Sequence, residues 1–150
     1  MLIEDNPGDV RLAQEALKEG KLDVNLDVAV DGIEAIAFLR KKGPYEKALT
    51  PDLILLDLNL PKKDGREVLT EIKADKYLRR IPVVILTTSN AEQDVLNSYN
   101  LYVNCYVNKP VDFDSFSNII KRIEEFWLKT AILPTRISEE QNSIGWEFRQ

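Results

Sequence analysis

Leu53-Ile54-Leu55-Leu56-Asp57-Leu58-Asn59-Leu60-Pro61 opens with the most hydrophobic strand of the chain, residues 53–56, and that strand ends on an aspartate. On either side of it, apolar runs alternate with amphipathic segments. This alternation is the signature of βα units, which build a parallel sheet covered by helices on both faces. Five units are legible. The first strand takes residues 1–4 and a helix follows over 8–19, which Gly20 is placed to end. The second strand is expected over 22–30, where Val24, Leu26, Val28 and Val30 alternate as on a strand with one face less deeply buried. Asp31-Gly32 turns the chain into a helix with Ile33, Ile36 and Leu39 on one stripe, and Gly43-Pro44 begins a loop reaching Pro51.

Beyond the central strand, helices are predicted over 66–74 and 91–99, strands over 82–86 and 103–108, and a closing helix over 112–129. Phe113, Phe116, Ile119, Ile120, Ile123 and Trp127 recur at helical spacing on that last helix. The stripe is wider than one domain face needs, which leaves Phe126 or Trp127 for a subunit contact. The chain thus divides into a domain at 1–129 and a tail at 130–150, extended or docked on a partner. Trp146 and Phe148 in the tail suit docking better than disorder.

The 150 residues suffice for one domain. No apolar run is long enough to span a bilayer and no leader-like segment opens the chain. Cys105 is the single cysteine, so no intramolecular disulfide can form; it is expected to act as a small buried hydrophobe, and a reducing cytoplasm is the expected compartment. A net charge of −5, from 25 acidic and 20 basic residues without a Lys/Arg block, argues against nucleic acid as a partner. With no histidine, the usual zinc sites and the Ser-His-Asp and Cys-His arrangements fall away, and the six glycines, scattered singly, make no phosphate cradle. Chemistry by carboxylates remains.

In such a sheet the ligand site lies beyond the carboxyl ends of the strands. Those ends carry Glu4-Asp5, Asp57, Thr87-Thr88 and Lys109-Pro110. Three carboxylates, a hydroxyl and an ammonium would converge on one rim. Crowded acids raise one another's pKa, and a divalent cation with oxygen ligands, Mg2+ for choice, relieves them. Asp57 is then a plausible nucleophile toward phosphorus, with Lys109 and the Thr87 hydroxyl placed on the transferred oxygens. Taken singly, each acid could equally be a solvated loop residue or a helix cap; the set argues otherwise.

The same residues carry a family resemblance. Leu2-Ile3-Glu4-Asp5-Asn6, the stretch from Leu53 to Pro61, Asp64-Gly65, Val84-Ile85-Leu86-Thr87 and Tyr106-Val107-Asn108-Lys109-Pro110 resemble, in order and spacing, the receiver domains of bacterial response regulators. The resemblance implies a flavodoxin-like (βα)5 fold, doubly wound, with a five-stranded parallel sheet in the order 2-1-3-4-5. It implies Asp57 as phosphoacceptor, Asp5 and Asp57 as direct Mg2+ ligands, Glu4 helping through water, and Asn59 adding its main-chain carbonyl. Thr87 and Tyr106 match the family's switch pair, and Lys109-Pro110 its cis peptide bond, credible because X-Pro is the linkage where cis costs only about 0.5–1 kcal/mol. No enzyme turnover is implied beyond self-catalysed phosphotransfer and autodephosphorylation.

A narrower resemblance runs through Lys42-Gly43-Pro44-Tyr45-Glu46, the stretch from Leu58 to Leu69, Val103-Asn104-Cys105-Tyr106 and Phe126-Trp127-Leu128. It is to the small response regulators of bacterial phytochromes, notably in cyanobacteria, and implies a phytochrome-like histidine kinase as phosphoryl donor. A homodimer is expected through the fourth helix, fifth strand and last helix. Receivers usually carry more apolar residues before the acidic pair, so residues are expected to be missing before Met1. Two rivals stand against this reading. A Mg2+-dependent phosphohydrolase with an aspartyl nucleophile would carry a second aspartate where Asn59 stands, and a receiver-like binding module that never accepts phosphate would have no need of Asp57, Thr87 and Lys109 together.

Overall fold

The computed structural model describes residues 1–134; Trp146, Phe148 and the rest of 135–150 lie outside them. Five strands, β1 (Leu2–Ile3), β2 (Val28–Ala29), β3 (Ile54–Leu56), β4 (Val83–Thr87) and β5 (Cys105–Asn108), pair in parallel in the order β2-β1-β3-β4-β5. Helices α1 (Pro7–Glu19), α2 (Gly32–Leu39), α3 (Gly65–Ala74), α4 (Glu92–Asn100) and α5 (Phe113–Ile123) follow the strands in turn.

The period of two along each strand sorts side chains onto the two faces. Ile54, Leu56, Val83 and Ile85 join Ala35, Ile36 and Leu39 of α2 and Val68, Leu69 and Ile72 of α3 in one core. Their neighbours Leu55, Val84 and Leu86 join Ala13 and Ala16 of α1 and Phe116, Ile120 and Ile123 of α5 in the other. Each fully buried Leu or Ile stabilises the fold by about 1.5–3 kcal/mol, so β3 and β4, apolar at nearly every position, anchor both layers. Side chains of Asn6, Asp31, Asp64 and Asp112 accept backbone N–H bonds at the starts of α1, α2, α3 and α5. Helix α4 starts after Ala91 without a side-chain cap and buries only Ser98, making it the least anchored of the five.

Several boundaries differ from the sequence reading. The second strand pairs over only two residues because its sole neighbour, β1, offers only Leu2 and Ile3 to pair with. The alternation is still written in the burial, with Leu22, Val24, Leu26 and Val28 half-buried between exposed Lys21, Asp23, Asn25 and Asp27. Val30, expected inward, is exposed.

Ile33 is also exposed, because the inward stripe of α2 begins one residue earlier, at Gly32. A Cβ there would lie 2.0 Å from the Lys63 carbonyl oxygen, so only glycine lets α2 approach the loop after β3. Phe113 stands exposed at the first position of α5. The final helix does not run regularly to Lys129: after Ile123 it widens into a π-helical segment, Glu124–Thr130, which leaves Phe126 exposed and sets Trp127 against the α1–α5 core. Cys105 is half-buried on β5, an edge strand. In the loop after β3, Lys62 pairs with Asp31 at 3.4 Å and Lys63 with Glu71.

Candidate functional site

The carboxyl ends of β1, β3, β4 and β5 bring Glu4, Asp5, Asp57, Thr87 and Lys109 to one rim. Asp57 sits one residue beyond β3, buried, with both oxygens occupied. Its Oδ1 accepts from the Thr87 hydroxyl at 2.9 Å and from the Asn59 N–H at 3.1 Å; its Oδ2 accepts from Lys109 Nζ at 3.1 Å. The Lys109 ammonium also donates to Glu4 Oε2 at 2.8 Å and to Asp9 Oδ2 at 2.9 Å. Around these groups an open cup of about 410 Å³, lined by Glu4, Asp5, Asn6, Asp9, Asp57, Asn59, Thr88 and Lys109 among others, leaves room for a hydrated ion and a phosphoryl group.

Burial, reinforced by the charge of Asp57, pushes the Glu4 carboxyl up to about 7 despite its bond to Lys109. Burial would depress the Lys109 ammonium, but bonds to Glu4 and Asp9 and the charge of Asp57 outweigh it and hold the pKa above its ordinary value. One ammonium thus serves three carboxylates, with Asp5 lining the same cup. Glu4, Asp5 and Asp57 each offer an oxygen within 4.8 Å of the others, an all-oxygen donor set that suits a hard divalent cation and would relieve the charge imbalance.

The pKa of Glu4 has a consequence for cation-free protein. An acid whose folded pKa lies above its unfolded value costs stability as pH rises between the two. Stability should therefore fall as pH rises from about 4.5 to about 7, by on the order of 3 kcal/mol at most from this group. Urea denaturation in chelator at pH 5 and pH 7.5 measures it, and Glu4→Gln should remove this part of the slope.

The expected switch residues are connected through Ser89. Its N–H points at Thr87 Oγ1 at 3.4 Å, and its carbonyl accepts from the half-buried Tyr106 hydroxyl at 2.8 Å. The Lys109–Pro110 bond is trans, which corrects the cis expectation; no described peptide bond is cis, and trans is the lower-energy form for X-Pro as elsewhere.

A model of the response regulator receiver domain matches residues 1–121. The chain belongs to this family. Response regulator Rcp1 of Synechocystis sp. is 53% identical over 134 residues, 89% of this chain and 91% of that protein. The solved phosphorylated cyanobacterial phytochrome response regulator RcpA superposes with a TM-score of 0.87 at 56% identity, covering 89% of this chain and 96% of the other. The Mn2+-bound form of Rcp1 superposes with a TM-score of 0.86 at 53% identity and the same coverage. As a receiver, the chain has the fold that the five motifs implied, and among its described residues no helix is long and apolar enough to cross a membrane.

Sequence reasoning missed two parts of this receiver's rim. Asp9 lies in the first turn of α1, three residues after the Asn6 cap, and the short step from the acidic pair to that turn was the signal that could have found it. Arg66 gave no such signal, because its partner is 28 residues away. Its guanidinium clasps Asp94 of α4 with bonds of 2.9 and 2.8 Å and also meets Asp64 at 3.1 Å. Asp94 in turn accepts from the Ser89 hydroxyl at 2.5 Å, and these donors, Arg66 first, hold its carboxyl down at about 2. The clasp ties the uncapped α4 and the loop before it to α3. Arg66 is partly exposed, so solvent screening limits the pair. Arg66→Met should cost about 1 kcal/mol, less in high salt, by urea denaturation.

Proposed function

We propose that this receiver accepts a phosphoryl group on Asp57 from the phosphohistidine of a phytochrome-type histidine kinase, with Mg2+ in the acid cluster, and signals by changing shape. The observation that carries the reading is the environment of Asp57: a buried carboxylate beside Glu4 and Asp5, bonded on one oxygen by Thr87 and on the other by Lys109. Similarity to proteins described as phytochrome response regulators supports the class of kinase. The description of RcpA as phosphorylated, and of Rcp1 as Mn2+-bound, supports the chemistry and the kind of cation.

Asp5 and Asp57 would hold the cation directly, Glu4 through water, and Asn59 through its main-chain carbonyl; once bound, the cation neutralises charge on the acids and the arriving phosphoryl oxygens. Asp57 attacks phosphorus, and the donor's phosphorus–nitrogen bond breaks as the phosphorus–oxygen bond forms. The imidazole leaves with the electron pair. The Lys109 ammonium balances one phosphoryl oxygen, and the Thr87 hydroxyl, already aimed at Asp57, donates to another. Thr87 and Tyr106 then carry the change to Ser89 and the face around β5. On this scheme Lys109→Met and Thr87→Ala take up phosphate but lose most of the downstream response, read by any assay of the phosphorylated state.

Incubation with Mg2+ and acetyl phosphate tests the reading: intact mass should rise by one phosphoryl group, and absence of any rise refutes it. Sustained hydrolysis of a generic phosphate ester would favour a phosphohydrolase instead, against which Asn59, standing where such an enzyme needs an acid, argues. The protein would be a homodimer through α4, β5 and α5 with its π-helical extension, where Leu96 and Tyr99 of α4 and Phe126 of the extension are exposed. Sedimentation at micromolar concentration checks the dimer, and Phe126→Ala should weaken it.

A further inference from the structure

Asp9 stands outside the acid trio that can hold a cation, yet it takes one of the three hydrogen bonds of Lys109. Its position is fixed locally. Pro7 starts α1, and the Asn6 side chain accepts from the N–H groups of Gly8 at 2.9 Å and Asp9 at 3.2 Å, which locks the first turn against the rim. Among the described residues, the only cation paired with the Asp9 carboxylate is Lys109, whose side chain is almost wholly buried.

An ammonium has three N–H donors. All three are taken here, by Glu4, Asp9 and Asp57. For Lys109 to hold a phosphoryl oxygen, the ammonium must turn from the Asp57 carboxylate toward the group attached to it. Phosphorylation ends the Asp57 bond, and a cation held by the trio would draw Glu4 away from Lys109. Asp9, outside the trio, is the carboxylate that keeps its hold on the ammonium against the phosphoryl oxygens.

We propose that Asp9 is a positioning residue that competes with the phosphoryl group for the Lys109 ammonium, biasing the site toward its unphosphorylated arrangement. The inference rests on Asp57 being the acceptor. It assigns Asp9 a restraining role: removing its charge frees Lys109 and tightens the site's hold on a phosphoryl group.

Beryllofluoride, an anion that binds an aspartate carboxylate in the shape and charge of a phosphoryl group, is the probe. Calorimetric titration of the full chain at saturating Mg2+ compares the unsubstituted protein, Asp9→Asn, Lys109→Met and the Asp9→Asn/Lys109→Met double variant. Asp9→Asn should bind about tenfold more tightly, a gain that damage to the fold would not produce. In the Lys109→Met background the same substitution should change affinity by less than twofold, because no ammonium is left to contest. Asp9→Ala should repeat the gain and serves if Asp9→Asn folds poorly. If the unsubstituted protein binds no beryllofluoride, the acceptor reading fails and this one with it. If it binds, and the Asp9 variants bind equally or more weakly, only the role of Asp9 is overturned. A gain that persists without Lys109 likewise overturns it, pointing to simple charge repulsion.

Discussion

Asp57→Asn should leave the intact mass unchanged after incubation with Mg2+ and acetyl phosphate, while the unsubstituted chain gains one phosphoryl group. The loss should be complete because an amide oxygen lacks the charge and nucleophilicity of a carboxylate, and no neighbouring acid is held in the same way. Glu4 is buried and turned toward Lys109 and the Asn6 N–H; Asp5 is exposed; Asp9 points at Lys109 from the side of α1.

The fold should tolerate the change. Asparagine keeps an oxygen for the Thr87 hydroxyl and the Asn59 N–H, and Lys109 retains Glu4 and Asp9. One bond to Lys109 is lost, worth about 1–2 kcal/mol, but the repulsion that Asp57 exerts on Glu4 is also removed. Stability should hold within about 1 kcal/mol or rise, as read by urea denaturation. A phosphoryl mass gain on the variant would sink the assignment of Asp57. Unfolding of the variant would instead show that the charge, and not only the shape, of Asp57 holds the rim together.

The element order, the doubly wound sheet and the five rim residues were legible because each rests on local chemistry. Apolar runs such as residues 53–56, alternating with amphipathic segments, read as buried strands, the Asp31-Gly32 turn marks a helix start, and strand-end acids are visible in the linear chain. What was not legible depends on partners distant in sequence. Ile33 had the right spacing for a core stripe, but the close approach of Gly32 to Lys63 rotates that stripe by one residue. The length of β2 is set by β1, not by its own alternation. The widening after Ile123 moves Phe126 outward, and no periodicity in a helical pattern announces a π-turn. At the site, the carboxylates and Lys109 could be named individually, but the sharing of one ammonium among Glu4, Asp9 and Asp57 is a property of four helix and strand ends meeting.

The clasp between Arg66 and Asp94 places the same limit on reading function. Thr87, Ser89, Asp94 and Arg66 form a chain of polar contacts from the acceptor to α3 and α4. Any displacement of the Thr87 hydroxyl on phosphorylation would be felt first by the loop carrying Ser89, and through it by the least anchored helix. On the proposed function, the weak anchoring of α4 would let a small change in hydrogen bonding shift it where it could not shift β3 or β4.

Gly65→Ala should be the most destabilising single-methyl change near the site. Gly65 opens α3 and donates its N–H to the Leu58 carbonyl at 2.9 Å. A Cβ there would lie 2.2 Å from the Asp57 carbonyl oxygen, 2.6 Å from Leu58 Cα and 2.8 Å from the Leu58 oxygen. All three are backbone atoms, and the backbone there is pinned, since Asp57 N–H donates to Ile3 at 3.0 Å and β3 is paired on both sides. The strand cannot retreat, so α3 must. That helix buries Val68, Leu69 and Ile72 completely and carries the Arg66 clasp, so lifting it opens the larger core and loosens α4 together. The expected cost is about 3 kcal/mol, a large share of a domain stability of roughly 5–15 kcal/mol. The thermal midpoint should drop by roughly 6–12 °C. Gly43→Ala is the control: its φ of +58° strains any other residue, by about 1 kcal/mol, but a Cβ there meets nothing within 4 Å. If urea denaturation finds Gly65→Ala no worse than Gly43→Ala, then the seat of α3 against the acceptor strand is softer than its geometry implies. If it is worse by the expected margin, the same variant should also take up phosphate more slowly, because the atom it collides with is the carbonyl oxygen of Asp57 itself.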